Sequence, residues 1–378
     1  MPQVSLAPPP LCSAYPSVLD RLLPSLPPTV GDTEVPPLFR KPFIVSGYRP
    51  VGQRWRCYVL SLFQVHNETI NVWSHLLAAV CVAIRFMVFA VLQGGGVLGF
   101  KLQGPEGQGL SVDASSLPLV LHHLSTVTYL SCSAAAHLLQ PRSEPARRSL
   151  VLVDRVGVAI HQYGCAVALC LYSVDTAWTQ SMLGQVYLPA AALLAWCSGT
   201  ICPCAQLCFQ HRRLCHMVWQ VLLVGVAHVW VIVPVVYRLA TCWWSNSAAP
   251  LHILQVVLFL LSALFSGPVP ECFFPGRCDI VGQGHQIFHV LLALCTLVQQ
   301  EALFRDFLWR RPGLVRQYGE ERLLLVCTSV PCLALCCAAT TFKKGRLQSE
   351  HMEMQNNKVL FPSLPPTKRP SSSVRNRK

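Results

Sequence analysis

The chain has 378 residues, of which 52% are hydrophobic and 12% are charged, and its formal net charge is +13. Because soluble globular proteins carry about 25% charged residues, this composition argues against a soluble domain and predicts an all-α protein that crosses the membrane several times. The positive charge does not indicate a nucleic-acid partner, because basic loops that face an anionic cytoplasmic leaflet account for it.

The first segment, residues 1–45, is rich in proline and predicts a flexible N-terminal arm with no core of its own. It lacks the features of a cleaved signal peptide, so we expect the first membrane span to direct insertion. Residues 46–70 form a juxtamembrane segment. Glu68, Trp73 and His75 lie where amphipathic side chains anchor at the boundary between water and lipid.

Eight apolar segments follow, each close to the roughly 20 residues that a helix needs to cross a bilayer. The predicted spans lie near residues 71–92, 117–140, 151–173, 182–202, 217–240, 251–270, 285–304 and 323–342. Many of the nineteen cysteines fall within apolar segments, where cysteine acts as a small hydrophobe, so they do not predict a disulfide scaffold. The sequence thus predicts a transmembrane helical domain at 71–342 and a basic disordered tail at 343–378.

The distribution of lysine and arginine predicts the orientation of this bundle. The N-terminal arm, the even-numbered loops and the C-terminal tail together carry 21 basic residues, whereas the opposite side carries seven. Because cytoplasmic loops are enriched in basic residues, we expect both termini to be cytoplasmic. The cluster from Arg305 to Arg322 departs from this pattern, since it lies on the outer side in the predicted topology.

The stretch DIVGQGHQIFHV, at the start of the seventh span, contains two histidines, His285 and His289, four residues apart. This spacing puts both rings on one face of a helix. A single intramembrane histidine is most often a hydrogen-bonded core residue, but two at this spacing favour a metal site. They supply only two of the ligands that zinc requires.

The second span ends with Ser133 and His137, which also share a helix face, and the third span begins with Asp154 just inside it. Charges at such positions are energetically costly and usually functional. The end of the second span and the starts of the third and seventh lie on the same side of the membrane in either orientation. These side chains are therefore expected to converge with the histidine pair in one layer.

Three imidazoles, from His137, His285 and His289, predict a zinc site with an open fourth position. Asp154 and Ser133 would then hold or deprotonate a water molecule on the metal. A polar packing cluster of the three histidines is the alternative. A second Cys- and His-rich stretch, residues 202–216, has a C-x-C start that does not match the usual zinc spacing, so palmitoylation, or no special role, explains it better.

These motifs together resemble the progestin and adipoQ receptor family. The resemblance covers about residues 30–310, and it rests on the stretches GYRPVGQRWRCYVLSLFQVHNETINVWSHLLAA and PVPECFFPGRCDIVGQGHQIFH, on the S-x-x-x-H of Ser133 and His137, and on Asp154. It implies a seven-helix core with a cytoplasmic N-terminus, an additional eighth helix, and zinc held by the three histidines.

The resemblance also implies a function at the plasma membrane. The progestin-binding branch of the family binds progesterone-like steroids, signals through inhibitory G-protein pathways and is associated with oocyte maturation. A progestin needs an apolar cavity with a few hydrogen-bond donors. Tyr129, Gln162, Tyr163 and Gln286 are available for this, and the sequence does not choose among them.

A zinc-dependent lipid hydrolase, for example one that cleaves ceramide amides, is the alternative function. Three histidines beside an ionisable group have the parts needed to activate water. The sequence between His285 and His289 contains no glutamate, so the base would have to be Asp154. A transporter is disfavoured, because the sequence has no evident internal repeat or charged relay.

Overall fold

The computed structural model describes residues 26–93, 97, 100–102, 110–208, 213–241 and 247–360. For residues 100–102, 110–112, 201–208, 213–221, 344 and 347–360 it describes the backbone alone. The α-helices of these parts are, in chain order, α1 (Trp55–Leu60), α2 (Thr69–Leu92), α3 (Leu117–Leu139), α4 (Glu144–Tyr172), α5 (Thr176–Gln180), α6 (Met182–Cys208), α7 (Arg213–Val231), α8 (Val233–Thr241), α9 (Ala249–Leu264), α10 (Val269–Phe273), α11 (Gly284–Tyr318) and α12 (Glu320–Leu360). Strands β1 (Phe100–Leu102) and β2 (Leu110–Val112) pair antiparallel between α2 and α3.

The long helices confirm the predicted all-α membrane fold. Within the described residues, seven segments are long and apolar enough to cross a membrane, and they comprise α2, α4, α6, α7 with α8, α9 with α10, α11 and α12. Each coincides with a predicted span. The remaining predicted span, the second in chain order at 117–140, is α3, whose 23 residues extend for about 34 Å.

Helix α3 lies inside the bundle and is not among the seven segments that are apolar enough to cross a membrane by composition. It packs between α2 and α4, and it buries the polar side chains of His122, Ser125, Thr126 and Ser133. Polar side chains of membrane helices face the bundle interior, where they find hydrogen-bond partners. The polarity of α3 therefore marks it as a central helix.

The main hydrophobic core surrounds the second half of α4. From Ala159 to Tyr172 almost every residue of this helix is buried, as expected for a helix covered by neighbours on all sides. Leu303 and Phe307 of α11 and Trp178 of α5 pack into the same cluster. Helix α12 adds residues to it as well, so the eighth helix is part of the bundle.

Several helices are longer than the apolar segments that predict them. Helix α4 begins at Glu144, where the Ser143 hydroxyl accepts a hydrogen bond from the backbone N–H of Ala146 as a helix cap. Helix α11 continues to Tyr318 and α12 to Leu360. Hydropathy marks only the part of a helix that lies in lipid, whereas the helix itself continues into the polar layer.

Part of the arm predicted to be flexible is folded. Val35, Phe39, Ile44 and Tyr48 form a small hydrophobic cluster, and the backbones of Val30 and Tyr48 pair as an isolated bridge. The prediction from proline content differs from the structure here because apolar residues lie between the prolines. The tail predicted to be disordered from residue 343 is helical as far as Leu360, because α12 continues through it. The remainder of the predicted arm, residues 1–25, and the tail after residue 360 lie outside the described residues.

Candidate metal centre

Three imidazole rings meet where the last turn of α3 approaches the first two turns of α11. His137 lies on α3, and His285 and His289 lie one turn apart on α11. One ring nitrogen of each residue lies within 4.8 Å of those of the other two, and the Nε2 atoms of His285 and His289 are 3.1 Å apart. The structure thus brings together the three residues that the sequence selects as metal ligands.

The start of α11 is held in place by close backbone packing. A Cβ atom on Gly284 would lie 2.4 Å from the carbonyl oxygen of Gly267, so only glycine fits. The backbone N–H of Gly284 donates to Glu271 Oε2 at 2.7 Å, which places a carboxylate at the positive end of the helix dipole. Both contacts fix the position of the start of α11, and therefore the direction in which the side chains of His285 and His289 project from it.

The arrangement of the rings fits a zinc ion. Two nitrogens bound to tetrahedral zinc at roughly 2.0–2.1 Å lie about 3.3 Å apart, close to the separation of the two Nε2 atoms on α11. Facing lone pairs of neutral imidazoles repel each other unless a proton or a cation lies between them. Three histidines also leave one coordination position open.

A buried carboxylate supports His137, and sequence analysis did not assign it to the site. Glu68 is 4% exposed, and its Oε2 lies 2.9 Å from His137 Nδ1. Metal-ligating histidines usually donate their second ring nitrogen to such a carboxylate, which fixes the tautomer and leaves the other nitrogen free to bind. The sequence predicts only an anchor at the lipid boundary for Glu68, because the contact with α3 is not visible in the sequence.

The folded N-terminal segment encloses the same carboxylate. Lys41 Nζ lies 2.8 Å from Glu68 Oε1, and Gln140 and Asn71 also donate to Glu68 at 2.9 Å and 2.6 Å. Arg49 is 4% exposed and donates to the carbonyl oxygens at the end of α3, including that of His137 at 2.8 Å. This segment therefore stabilises the end of α3 that carries the candidate ligand.

The charge states of these groups follow from their surroundings. Burial raises the pKa of a carboxyl group, but Lys41 and His137 outweigh that effect and hold the pKa of Glu68 well below its usual range. Burial lowers the pKa of the Arg49 guanidinium to about 10. Near neutral pH Glu68 is therefore an anion and Arg49 is a cation.

Ser133 and Asp154 lie beside the three rings. Ser133 is buried one turn before His137, and its side chain lies near the Asp154 carboxylate. Asp154 Oδ1 is buried and has no hydrogen-bond partner among the described residues. Together with His137 and His285, Asp154 lines a cavity of about 280 Å³. A carboxylate in this position can orient or deprotonate a water molecule.

Of the four residues considered as steroid contacts, Tyr163 alone lines a cavity of a steroid's size. Gln286 bonds to the loop that precedes α11, with its Nε2 donating to the carbonyl oxygen of Ile280 at 2.8 Å. Gln162 Oε1 accepts from Ser198 at 2.7 Å, and the ring of Tyr129 stacks on His161 at 4.9 Å. Tyr163 borders a cavity of about 340 Å³, within the range of ligand sites.

The other sequence motif with metal-ligating residues, at 202–216, lies outside the residues whose side chains are described. Its assignment stays a prediction.

Comparison with known proteins places the chain in a family. Residues 63–300 match the family described as haemolysin-III related. The chain is 44% identical to membrane progestin receptor beta of Homo sapiens over 333 residues, which cover 86% of this chain and 89% of that protein. It is 42% identical to membrane progestin receptor alpha of Homo sapiens over 296 residues, with coverages of 75% and 78%. It is 40% identical to membrane progestin receptor alpha-B of Danio rerio over 333 residues, with coverages of 86% and 89%.

Proposed function

This chain belongs to the haemolysin-III related family and resembles the membrane progestin receptors along most of its length, and on this premise we propose that it is a receptor for progesterone or a related steroid. It is an integral membrane protein. The identity to receptors named for progestins is the observation that carries the proposal. We propose further that it acts at the plasma membrane and signals through inhibitory heterotrimeric G protein.

The proposed orientation has both termini in the cytoplasm. The support for it is the excess of basic residues, 21 against seven, on the side of the termini. In this orientation the three histidines lie at the cytoplasmic end of the bundle. Epitope tags at each end test the proposal: antibody should reach them only after the membrane is permeabilised, and labelling of either tag on intact cells would contradict it.

We propose that the residues of the candidate metal centre, His137, His285 and His289, hold a zinc ion. The support is the convergence of their ring nitrogens and the carboxylate behind His137. A bound zinc ion supplies a fixed positive charge and Lewis acidity. In the receptor its main role is to tie α3 to α11, while Glu68 orients His137 and Lys41 holds Glu68.

One purified sample tests the receptor and metal proposals together. The full chain, in detergent or nanodiscs, is assayed for zinc content and for saturable binding of tritiated progesterone. We expect about one zinc ion per chain and saturable steroid binding. A protein that is folded and contains zinc but binds no steroid would contradict the receptor proposal.

Hydrolysis of a lipid amide such as ceramide is the second candidate function. The observation that favours it is the unpartnered Oδ1 of Asp154 beside the cavity that His137 and His285 also line. In this proposal Asp154 accepts a proton from water, and Ser133 holds the carboxylate in position. Turnover of a ceramide substrate by the same sample would support it, and the absence of turnover in a zinc-loaded sample would exclude it.

A further inference from the structure

A cavity of about 570 Å³ lies between α3, α4 and α12, and we refer to it as the α4–α12 cavity. Six residues of α4, from Ser149 to Ile160, form one wall, and their spacing puts them on one face of the helix. Five residues of α12, from Ala338 to Arg346, form the facing wall, and Thr128 and Cys132 of α3 complete the lining. Two helices thus present facing surfaces that do not touch.

This cavity is separate from the one beside the candidate metal centre. The residues of α4 that border the cavity beside the histidines include Val151, Asp154 and Val158. None of these three lines the α4–α12 cavity, because they lie on a different face of α4. Anything bound between α4 and α12 therefore does not contact the Asp154 carboxylate.

The α4–α12 cavity extends through about one leaflet of a bilayer. From Ser149 to Ile160 α4 rises about 16 Å, roughly half of the hydrocarbon thickness. Ser149 lies near the start of α4, and Arg346 follows the membrane-spanning part of α12, which ends at Lys343. The polar end of the cavity is therefore at the membrane surface, on the side of the bundle where α4 begins.

The cavity is open to the membrane along its side. Val153 is 46% exposed and Phe342 is 71% exposed, and both belong to segments that are apolar enough to cross a membrane. Exposed side chains at this depth face lipid. Apolar walls with an empty space between them lose dispersion contacts, so an acyl chain of the surrounding bilayer fills this space.

The end of the cavity at the membrane surface is basic. Arg346 and Ser149 border it and are both exposed, so a ligand in the cavity can reach them. Lys343 and Lys344 lie beside Arg346 in the sequence, and residues 322–349 contain no acidic side chain. A guanidinium and a hydroxyl can both donate to phosphate oxygens. A ligand that fits both ends has an apolar chain and an anionic head.

We infer that the α4–α12 cavity binds a phospholipid with an anionic headgroup. One acyl chain lies between α4 and α12, and the phosphate accepts hydrogen bonds from Arg346 and Ser149. A free anion fits less well, because it leaves the apolar walls uncovered, and a neutral sterol does not use the positive charge. The site is independent of the proposed steroid and zinc binding. It gives the eighth helix a role, since the bound lipid joins α12 to α4 and stabilises the folded bundle.

Competition binding to the purified full chain in detergent tests the inference. The probe is a fluorescent phosphatidylserine, and its anisotropy is measured while unlabelled dioleoyl phosphatidylserine or dioleoyl phosphatidylcholine displaces it. The two competitors have the same chains and differ in net charge. Phosphatidylserine should compete about five-fold better, because a basic residue near the membrane surface contributes that much to the binding of an anionic lipid. Glycerophosphoserine, which has no acyl chains, should not compete.

Substitutions at the two ends of the cavity should have different effects. Arg346→Gln should raise the Kd for phosphatidylserine by about five-fold and abolish the preference over phosphatidylcholine. Ala338→Phe and Val153→Phe fill the apolar part and should each weaken binding of both lipids by about five-fold or more. The matched controls are Arg277→Gln and Ala339→Phe, which change exposed residues outside the cavity. Each control should change Kd by less than about two-fold.

Four results would overturn the inference. They are equal competition by the two phospholipids, equal competition by glycerophosphoserine, an unchanged Kd in both filling variants, and displacement by cholesterol that is as strong as that by phosphatidylserine. Zinc content and thermal unfolding identify variants that fail to fold. Ala338→Phe and Val153→Phe act from opposite walls, so the correctly folded one suffices for the comparison. If both misfold, Arg346→Gln on the exposed end still decides, because loss of the phosphatidylserine preference supports the site and its retention contradicts it.

Discussion

Helix α11 carries a buried polar cluster near each end, and the two clusters are built differently. Asp306 lies 21 residues after His285, or about 31 Å along the helix, which is close to the thickness of the hydrocarbon layer. Asp306 is 0% exposed, and its carboxylate accepts from Arg238 at 2.7 Å, from His252 at 2.8 Å and from Ser173 at 2.6 Å. We refer to these four residues as the Asp306 cluster.

The candidate metal centre, in contrast, brings hydrogen-bond acceptors together without matching donors. Its three ring nitrogens point toward one another, and His289 Nδ1 has no partner among the residues that the structure describes. In the Asp306 cluster, both carboxylate oxygens accept hydrogen bonds, from Arg238 on α8, from His252 on α9 and from Ser173, which caps the end of α4. Buried polar groups are stable only when they are satisfied. The comparison teaches that the Asp306 carboxylate is satisfied by protein donors, although Arg238 Nη2 has no partner among the described residues, whereas the three histidines are arranged for an additional atom.

The largest expected effect is that the candidate metal centre depends on a bound metal ion for its stability, whereas the Asp306 cluster does not. His137→Ala, His285→Ala and His289→Ala should each release zinc and lose the stability that it provides, because binding to structural zinc sites contributes about 10 kcal/mol or more. Elemental analysis and thermal unfolding with and without a chelator measure this. His252→Ala is the matched control and should keep its zinc. Wild-type zinc content in all three histidine variants would contradict the assignment of a metal to the candidate metal centre.

The next effect concerns the Asp306 cluster. Asp306→Ala leaves Arg238 buried without a carboxylate and should lower the free energy of unfolding by about 3–5 kcal/mol, with the zinc content unchanged. The double variant Arg238→Met/Asp306→Leu should recover much of this loss, because it removes both charges. Denaturant or thermal unfolding in detergent provides the measurement. If Asp306→Ala is as stable as wild type, the cluster does not stabilise the bundle.

A smaller effect is expected from the carboxylate behind His137. Glu68→Gln keeps the side-chain shape but weakens the contact that orients the imidazole, so zinc affinity should fall by about 10- to 100-fold. Competition with a chelator of known affinity measures it. Glu301→Gln is the control, because Glu301 pairs with Arg85 on the surface. Equal zinc affinity in Glu68→Gln and wild type would show that the hydrogen bonds of Glu68 within the chain serve folding alone.

Asp154→Asn should have the smallest effect on the metal, because the carboxylate is not one of the three converging ligands. It distinguishes the two proposed functions. As the base of a hydrolase Asp154 would contribute about 10²- to 10⁴-fold to the rate, so turnover of a ceramide substrate would collapse in the variant. A steroid receptor does not need the charge, and we expect progesterone affinity within about three-fold of wild type. Loss of both signalling and turnover, with zinc and steroid binding retained, would indicate that the steroid regulates an enzyme.

The positions of the long helices and the pairing of His285 with His289 follow from the sequence because both depend on consecutive residues. Hydropathy is summed along a segment, and an i, i+4 spacing defines a helix face wherever the helix is placed. Counting spans was also enough to bring His137 to the same end of the bundle as this pair. The candidate metal ligands were therefore recognisable before any contact between helices was known.

Only the tertiary structure decided which side chains contact these residues and form hydrogen bonds around them. Lys41 bonds to Gln283 across 242 positions of the chain, and Ser173 bonds to Asp306 across 133. The role of Glu68 and the Asp306 cluster became recognisable only through such contacts. The physical reason is that burial along one helix is set by its own sequence, whereas the satisfaction of a buried polar group depends on which side chain the neighbouring helix presents to it.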